Sequence, residues 1–286
     1  VDKAFAEADL VVSEKITTGR TSAAPMETRG VMATWGWDDT LTVWSSTQMP
    51  YPLRTSIAVN LGISEQIIRV VAPTVGGGFG QKAHFFPEEF ILPWIAKEIK
   101  QPVKWVEDRR EHLLSAAHAK QCTIYMNIAF RKDGRMMGMK IKNIGDSGAY
   151  SQYPWSGLIE SVAANNGAPG AFTVPTIRFE TVVCLTNKMS TGAYRGVGWS
   201  AGCYAREMVL TKAARLLNLD IVDIYRKNFI RENEFPYTTA TNQIYDSGDY
   251  HKVLQKCMEM SDYTNTKKKA RLNANGKLNG VGIAFF

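Results

Sequence analysis

Val75-Gly76-Gly77-Gly78-Phe79-Gly80-Gln81-Lys82 is the stretch on which the reading of the fold turns. An apolar, β-branched run from Gln66 to Pro73 leads into it and reads as a strand. A helical pattern from Pro87 to Lys100 follows, and Pro102 to Glu107 reads as the next strand. Strand, glycine turn, helix and strand make a βαβ unit, expected to be right-handed. Glycines admit positive φ and let a ligand approach the backbone with no Cβ in the way. They also let successive N–H groups face one concavity, which suits an anion or an oxo ligand. Two phosphate motifs fail on spacing. A P-loop needs glycine before the lysine, where Gln81 stands. A G-x-G-x-x-G fingerprint would need its last glycine at Gln81 or Ala83. Alone, the stretch reads as a βα turn without a ligand; the rest of the chain shifts that balance.

The 286 residues are 45% hydrophobic and 21% charged, enough for a sizeable core in one large domain or two lobes. No apolar run approaches a membrane span. The chain starts at Val1 with no leader pattern, as an excised piece or a processed start would. Cys122, Cys184, Cys203 and Cys257 are scattered, which points to reduced thiols in a cytoplasmic protein rather than a disulfide frame. The four histidines, His84, His112, His118 and His251, have no metal-ligand spacing, which argues against a zinc or non-haem iron site. The net charge of +7 owes part of its excess to Lys267, Lys268, Lys269 and Arg271, a run that reads as a solvated face. No nucleic-acid motif accompanies it.

Working outward, Asp2 to Ala8 is a short helical pattern with Phe5 inward, and Leu10 to Thr17 alternates as a strand. Gly30 to Trp35 and Leu41 to Ser46 form a hairpin signal. Pro52 to Leu61 is helical and ended by Gly62. In the helix after the glycine loop, Phe90, Ile91, Trp94, Ile95 and Ile99 make the expected apolar face, and Trp94, Trp105 and Trp155 are expected in the core. Gln121 to Arg131 and Met136 to Ile144 form a long hairpin. Asp146 to Tyr150 turns the chain, Ile159 to Asn166 is mixed, and Thr176 to Thr186 alternates as a strand. Gly192-Ala193-Tyr194-Arg195-Gly196-Val197-Gly198 is a second glycine-rich turn, with an arginine inside it. The C-terminal third is helical. Ser200 to Leu217 carries Tyr204, Met208, Thr211, Ala214 and Leu217 on one side, Ile221 to Phe229 follows, and Tyr245 to Tyr250 caps a helix to about Met260. Asn275-Gly276-Lys277 is polar, and Gly280 to Phe286 reads as the start of a strand, with a partner segment absent.

Gly76-Gly77-Gly78-Phe79-Gly80-Gln81-Lys82, Gly192-Ala193-Tyr194-Arg195-Gly196 and Tyr245-Asp246-Ser247-Gly248-Asp249 occur here in order, with Pro25-Met26-Glu27 and Ser46-Thr47-Gln48. Singly they are weakly specific; as an ordered set the sequence resembles the molybdenum-binding large subunit of the xanthine dehydrogenase, aldehyde oxidase and aerobic carbon monoxide dehydrogenase family, over nearly the whole chain. The resemblance implies a mixed α+β fold, with a molybdopterin-binding domain over 1–278 and a following segment starting at 279–286. It implies molybdenum held by molybdopterin, as the cytosine dinucleotide in bacteria and archaea, and not by His or Cys. Gly77, Gly78, Phe79 and Gly80 would bind the cofactor, with the Phe79 and Gly80 amides against it and Arg195 beside the metal. Gln48 would contact the cofactor or support the loop. Backbone N–H groups and a guanidinium stabilise developing negative charge.

In the family, water supplies the oxygen, hydride leaves the substrate, and electrons pass to 2Fe-2S and FAD partners, in subunits expected to form a higher-order oligomer. The family's general-base glutamate lies beyond the region matched here, so no catalytic residue is assigned and the piece is not expected to be active alone. Ala83 and Val197 fall in the substrate pocket where purine oxidisers carry a glutamate and an aromatic. Their further arginine falls near Ala163. Losing these forfeits about 1–3 kcal/mol for each charged hydrogen bond, which argues against xanthine. Gly196 stands where carbon monoxide oxidisers place a copper-holding cysteine. An aldehyde or N-heterocycle remains as substrate. The alternatives are a silent scaffold of the same fold and, on charge alone, a nucleic-acid binder. His84 reads as polar packing, Glu27 equally as a structural hydrogen bond, and Asp146 and Asp246 as turn or cap residues.

Overall fold

The computed structural model describes residues 1–270 and 280–286. The chain opens with α1 (Asp2–Ala6), β1 (Leu10–Thr17) and the short β2 (Thr21–Ser22). A first layered unit then forms from β3 (Gly30–Trp35), β4 (Leu41–Ser45), α2 (Pro50–Leu61), β5 (Ile68–Val71), α3 (Glu88–Ile99), β6 (Val103–Val106) and α4 (Arg109–Ser115). After β7 (His118–Ala119) come β8 (Cys122–Phe130), β9 (Met136–Gly148), α5 (Leu158–Gly167), β10 (Ile177–Leu185), α6 (Trp199–Leu217) and α7 (Ile221–Asn228). β11 (Tyr237–Thr238), β12 (Ile244–Tyr245), α8 (Tyr250–Met260) and α9 (Tyr263–Ala270) follow.

Two four-stranded sheets organise two hydrophobic cores. The sheet β5-β4-β3-β6 is backed by α2 and α3, with Val43, Leu53, Ile57 and Ala96 fully buried between them. The sheet β1-β8-β9-β10 packs against α5 and α6 around Met126, Phe130, Met139, Val209 and Leu210. Alternation explains the strands: β4 buries Leu41, Val43 and Ser45 and leaves Thr42 and Trp44 half-buried. The fold is the mixed α+β arrangement expected, with mixed parallel and antiparallel pairing in both sheets.

The glycine loop joins β5 to α3, as the sequence implies. β5 pairs parallel with β4, while β3 is antiparallel to both β4 and β6. β6 therefore runs in the same direction as β5 from the opposite edge, and α3 crosses the sheet face between them. α2 links the adjacent parallel strands β4 and β5, and α5 links β9 and β10.

Several expectations are corrected. α3 buries Glu89, Leu92, Pro93 and Ala96, and leaves Ile91, Trp94 and Ile99 about half exposed. The Glu89 carboxylate sets that rotation: it accepts from the Ser45 hydroxyl at 2.7 Å and the Phe86 amide at 3.0 Å inside the core. Trp105 is half-buried and packs against the edge of the first core, while Trp155 is exposed, outside either core. α6 turns its small residues Ala201, Gly202, Ala205 and Ala213 inward against α5 and the sheet. Tyr204 and Met208 stay exposed, because close helix packing favours short side chains. Ile159 to Asn166 is wholly helical within α5, and the expected turn at Asp146 is the end of β9.

Residues 280–286 form no strand. Side chains take their carbonyls instead: Tyr225 donates to Ile283 O at 3.1 Å, and Arg206 donates to Phe285 O. The Phe285 ring packs on Phe229 with centroids 4.7 Å apart. Asn275-Gly276-Lys277 and Arg271 lie outside the described residues.

Candidate cofactor site

The first glycine loop is braced from below. Glu27 accepts from the Gly76 amide at 2.9 Å and from the buried Lys82 ammonium at 2.6 Å. Burial opposes ionisation of Glu27, but Lys82 and the Gly76 amide outweigh it and hold the carboxyl below its ordinary range. Gln48 follows β4 and accepts from the Gly80 amide at 2.8 Å, while its own amide donates to Lys82 O at 2.9 Å. Of the two amides expected to face a cofactor, Gly80's is thus already engaged. At the loop apex Phe79 has φ of 53° and is 44% exposed.

The second turn enters from the other core, between β10 and α6. Its four successive amides go to four different places. Gly192 donates to His118 O at 2.8 Å, and Ala193 donates to His84 Nε2 at 2.8 Å. Tyr194 donates to Glu160 Oε1 at 3.2 Å, and Arg195 donates to the Phe79 carbonyl at 2.8 Å. Lys120 donates to Arg195 O at 2.8 Å. The Phe79–Arg195 bond puts the two turns in direct contact across about 115 residues of sequence, within the spacing of a normal backbone hydrogen bond. Gly80, at φ of 93°, is required there twice: a Cβ would stand 2.8 Å from Ala193 O.

Val197, at φ of 48°, is a β-branched residue in the left-handed region, where such residues are rarely found. Strain of this kind persists only where the surroundings impose it, and it clusters at functional sites. Both turns carry it, at Phe79 and at Val197.

Among the described residues, the amides of Gly77, Gly78 and Phe79 and the guanidinium of Arg195 have no protein hydrogen-bond partner. Arg195 is exposed, with its Cζ 6.0 Å from the Phe79 ring centroid. Lys120 lies beside it, pushed below its ordinary value by burial, with the charge of Glu160 opposing that shift. Burial raises Glu160 to about 7, with Lys120 and the Tyr194 amide pulling the other way. Burial lowers His84 to about 4. The exposed charge at the junction is therefore cationic, and its free donors suit an anionic group. Among the described residues no three His, Cys, Asp or Glu are grouped so as to hold a metal ion.

The structure thus brings Gln48, Phe79, Gly80 and Arg195 into one constellation, with Gly77 and Gly78 on the same loop. Val197 is half-buried on the second turn. Ala83 is buried on the 3-10 turn Gln81–Ala83 behind the loop. Asp249 caps α8 by accepting from the Lys252 amide at 2.9 Å, which is the turn chemistry expected of the third motif. Sequence reasoning missed Lys120 and Glu160 and discounted His84. A lone carboxylate amid the apolar and small residues of Leu158–Gly167 was the available signal for Glu160.

A family model described as "Molybdopterin cofactor-binding domain" matches residues 1–229. The nicotine 6-hydroxylase large subunit of Paenarthrobacter nicotinovorans is 39% identical over 289 residues, covering 100% of this chain and 35% of that protein. The carbon monoxide dehydrogenase large chain of Hydrogenophaga pseudoflava is 32% identical, covering 100% of this chain and 36% of that one. The crystal structure of quinoline 2-oxidoreductase from Pseudomonas putida 86 superposes with a TM-score of 0.89 at 40% identity, over 94% of this chain and 34% of that one. The chain spans about a third of the length of these relatives. With both turns in contact and the model matching through the second of them, this chain belongs to the molybdopterin cofactor-binding domain family.

Proposed function

We propose that the chain is the cofactor-binding part of a molybdenum hydroxylase that oxidises an N-heterocycle or an aldehyde, with water as the source of oxygen. The observation that carries this reading is the Arg195 amide bonded to the Phe79 carbonyl, which leaves the Arg195 guanidinium and the Gly77–Phe79 amides free at one place. These residues fit an anionic pterin: backbone donors at a loop with no Cβ at four positions, and a cation with no acid paired to it among the described residues. When bound, molybdopterin supplies the two-electron chemistry that no side chain here can provide.

The chain's own residues bind and orient. Gln48 and Glu27 fix the loop, and when the group is bound the Phe79 amide would donate to it and Arg195 would hold negative charge beside it. N-heterocycles are favoured by two relatives of about 40% identity, which are named for nicotine and quinoline. Gly196 in place of a thiol disfavours carbon monoxide. The cytosine dinucleotide form, the 2Fe-2S and FAD partners, a larger oligomer and a cytoplasmic setting belong to the same proposal.

The test uses the full-length protein purified with its natural partners. Wild type is expected to hold molybdenum near stoichiometry. Gly80→Val is expected to lose most of it while far-UV circular dichroism is unchanged, because the branched side chain meets Ala193 O. Arg195→Lys should lower turnover at least tenfold with a smaller effect on molybdenum content, since the planar fork is lost. No molybdenum in the wild-type assembly would favour a silent scaffold. Full content in Gly80→Val would remove the loop from the site.

A further inference from the structure

We propose that His84 is the positioning residue that locks the Arg195 turn onto the glycine loop, acting as a neutral hydrogen-bond acceptor for the Ala193 amide. This inference rests on the cofactor-site reading above and extends it to a residue outside the glycine motifs.

His84 belongs rigidly to the first loop. It follows the 3-10 turn Gln81–Ala83, whose Gln81 and Ala83 amides donate back to Gly78 O at 2.9 Å and Gly80 O at 3.0 Å. His84 is 1% exposed, and its Nε2 lies 2.8 Å from the Ala193 nitrogen, two residues before Arg195. A backbone amide can only donate. Nε2 must therefore carry the lone pair, and the ring proton sits on Nδ1. The imidazolium could not make this contact, because its Nε2–H would face the amide hydrogen. Low solvent access favours the neutral ring, in accord with its lowered affinity for a proton.

The partner turn is shaped to receive the ring. Gly192 lies against the imidazole so closely that any Cβ would overlap the Nε2, Cε1 and Cδ2 atoms. The same turn is fixed at its next two amides by Glu160 and by Phe79 O. Ala193, the residue before these two, is held by a side chain carried on the glycine-loop segment. Without it, Arg195 keeps a single direct tie to the loop, through Phe79 O.

The experiment compares His84→Phe, a somewhat larger ring that removes the acceptor, with His84→Gln, whose Oε1 reaches the place of Nε2. Gly192→Ala displaces the ring with His84 intact. All are made in the full-length protein in its natural assembly. Hydrogen exchange followed by mass spectrometry reads the 192–195 segment, and elemental analysis reads molybdenum. The expected result is exchange at least tenfold faster in His84→Phe and Gly192→Ala, as loss of one buried hydrogen bond implies. Molybdenum should be at least halved in both, with His84→Gln within about threefold of wild type in exchange. Unchanged exchange in both His84→Phe and Gly192→Ala would overturn the lock. Faster exchange with full molybdenum and unchanged turnover would overturn its positioning role. If wild type itself held no molybdenum, the cofactor reading would fall, and the exchange arm would still decide whether the lock exists. Should His84→Phe fail to fold, Gly192→Ala carries the same decision.

Discussion

Phe79 and Arg195 meet through one backbone bond, and the residues that make the meeting possible are those with something missing. Gly80 and Gly192 lack a Cβ where Ala193 O and the His84 ring come close. His84 also sets a pH dependence whose sign follows from its environment. Its affinity for a proton is lowered from 6.5 to about 4, so the unfolded chain binds that proton first. This stability is full above about pH 6.5 and is lost as the pH falls towards 4, by up to about 3 kcal/mol. His84→Gln should flatten that part of the curve of melting temperature against pH; an unaltered slope between pH 4 and 6.5 would count against a buried neutral ring. Phe79, Gly80 and Arg195 were legible because their motifs are local. His84 was not, since nothing near Lys82 in sequence announces an amide 109 residues away.

Elements show a different kind of surprise. The helix after the glycine loop was legible in extent, yet its buried face was not the one with the most apolar residues. Glu89 must reach Ser45 and Phe86, which turns Leu92 and Ala96 inward and leaves Trp94 53% exposed. Leu92→Ala should therefore cost about 2–5 kcal/mol and Trp94→Ser less than about 1 kcal/mol. Equal losses in urea unfolding would restore the face read from the pattern. In α6 the same lesson recurs: Tyr204 and Met208 have the apolar area, but Ala201, Ala205 and Ala213 have the shape that close packing admits. Pattern counts apolar residues; rotation of a helix is decided by what it must touch.

Across the whole molecule, the site stands where two cores come together, one loop from each. Each core side holds a buried carboxyl near the junction, Glu89 in one and Glu160 in the other, and burial raises both to about 7. The sign here is opposite to that of His84. The folded state keeps these protons longer than the unfolded chain, so the stability they contribute is full below about pH 4.5 and is lost as pH rises through 7. Glu89→Gln, which keeps an oxygen for the Phe86 amide and can turn its NH2 group to the Ser45 hydroxyl oxygen, should match wild type at pH 5 and exceed it at pH 8, by up to about 3 kcal/mol. A melting difference that does not change between those pH values would show that Glu89 ionises freely. By itself the sequence determined most of the strands and helices and the two glycine turns, because periodicity and backbone freedom are properties of neighbours along the chain. Only the tertiary structure decided which helix faces are buried, that residues 280–286 dock through side chains and not a ladder, and that Ala193 hangs on His84. Those depend on distances between segments about a hundred residues apart, which composition and spacing leave open.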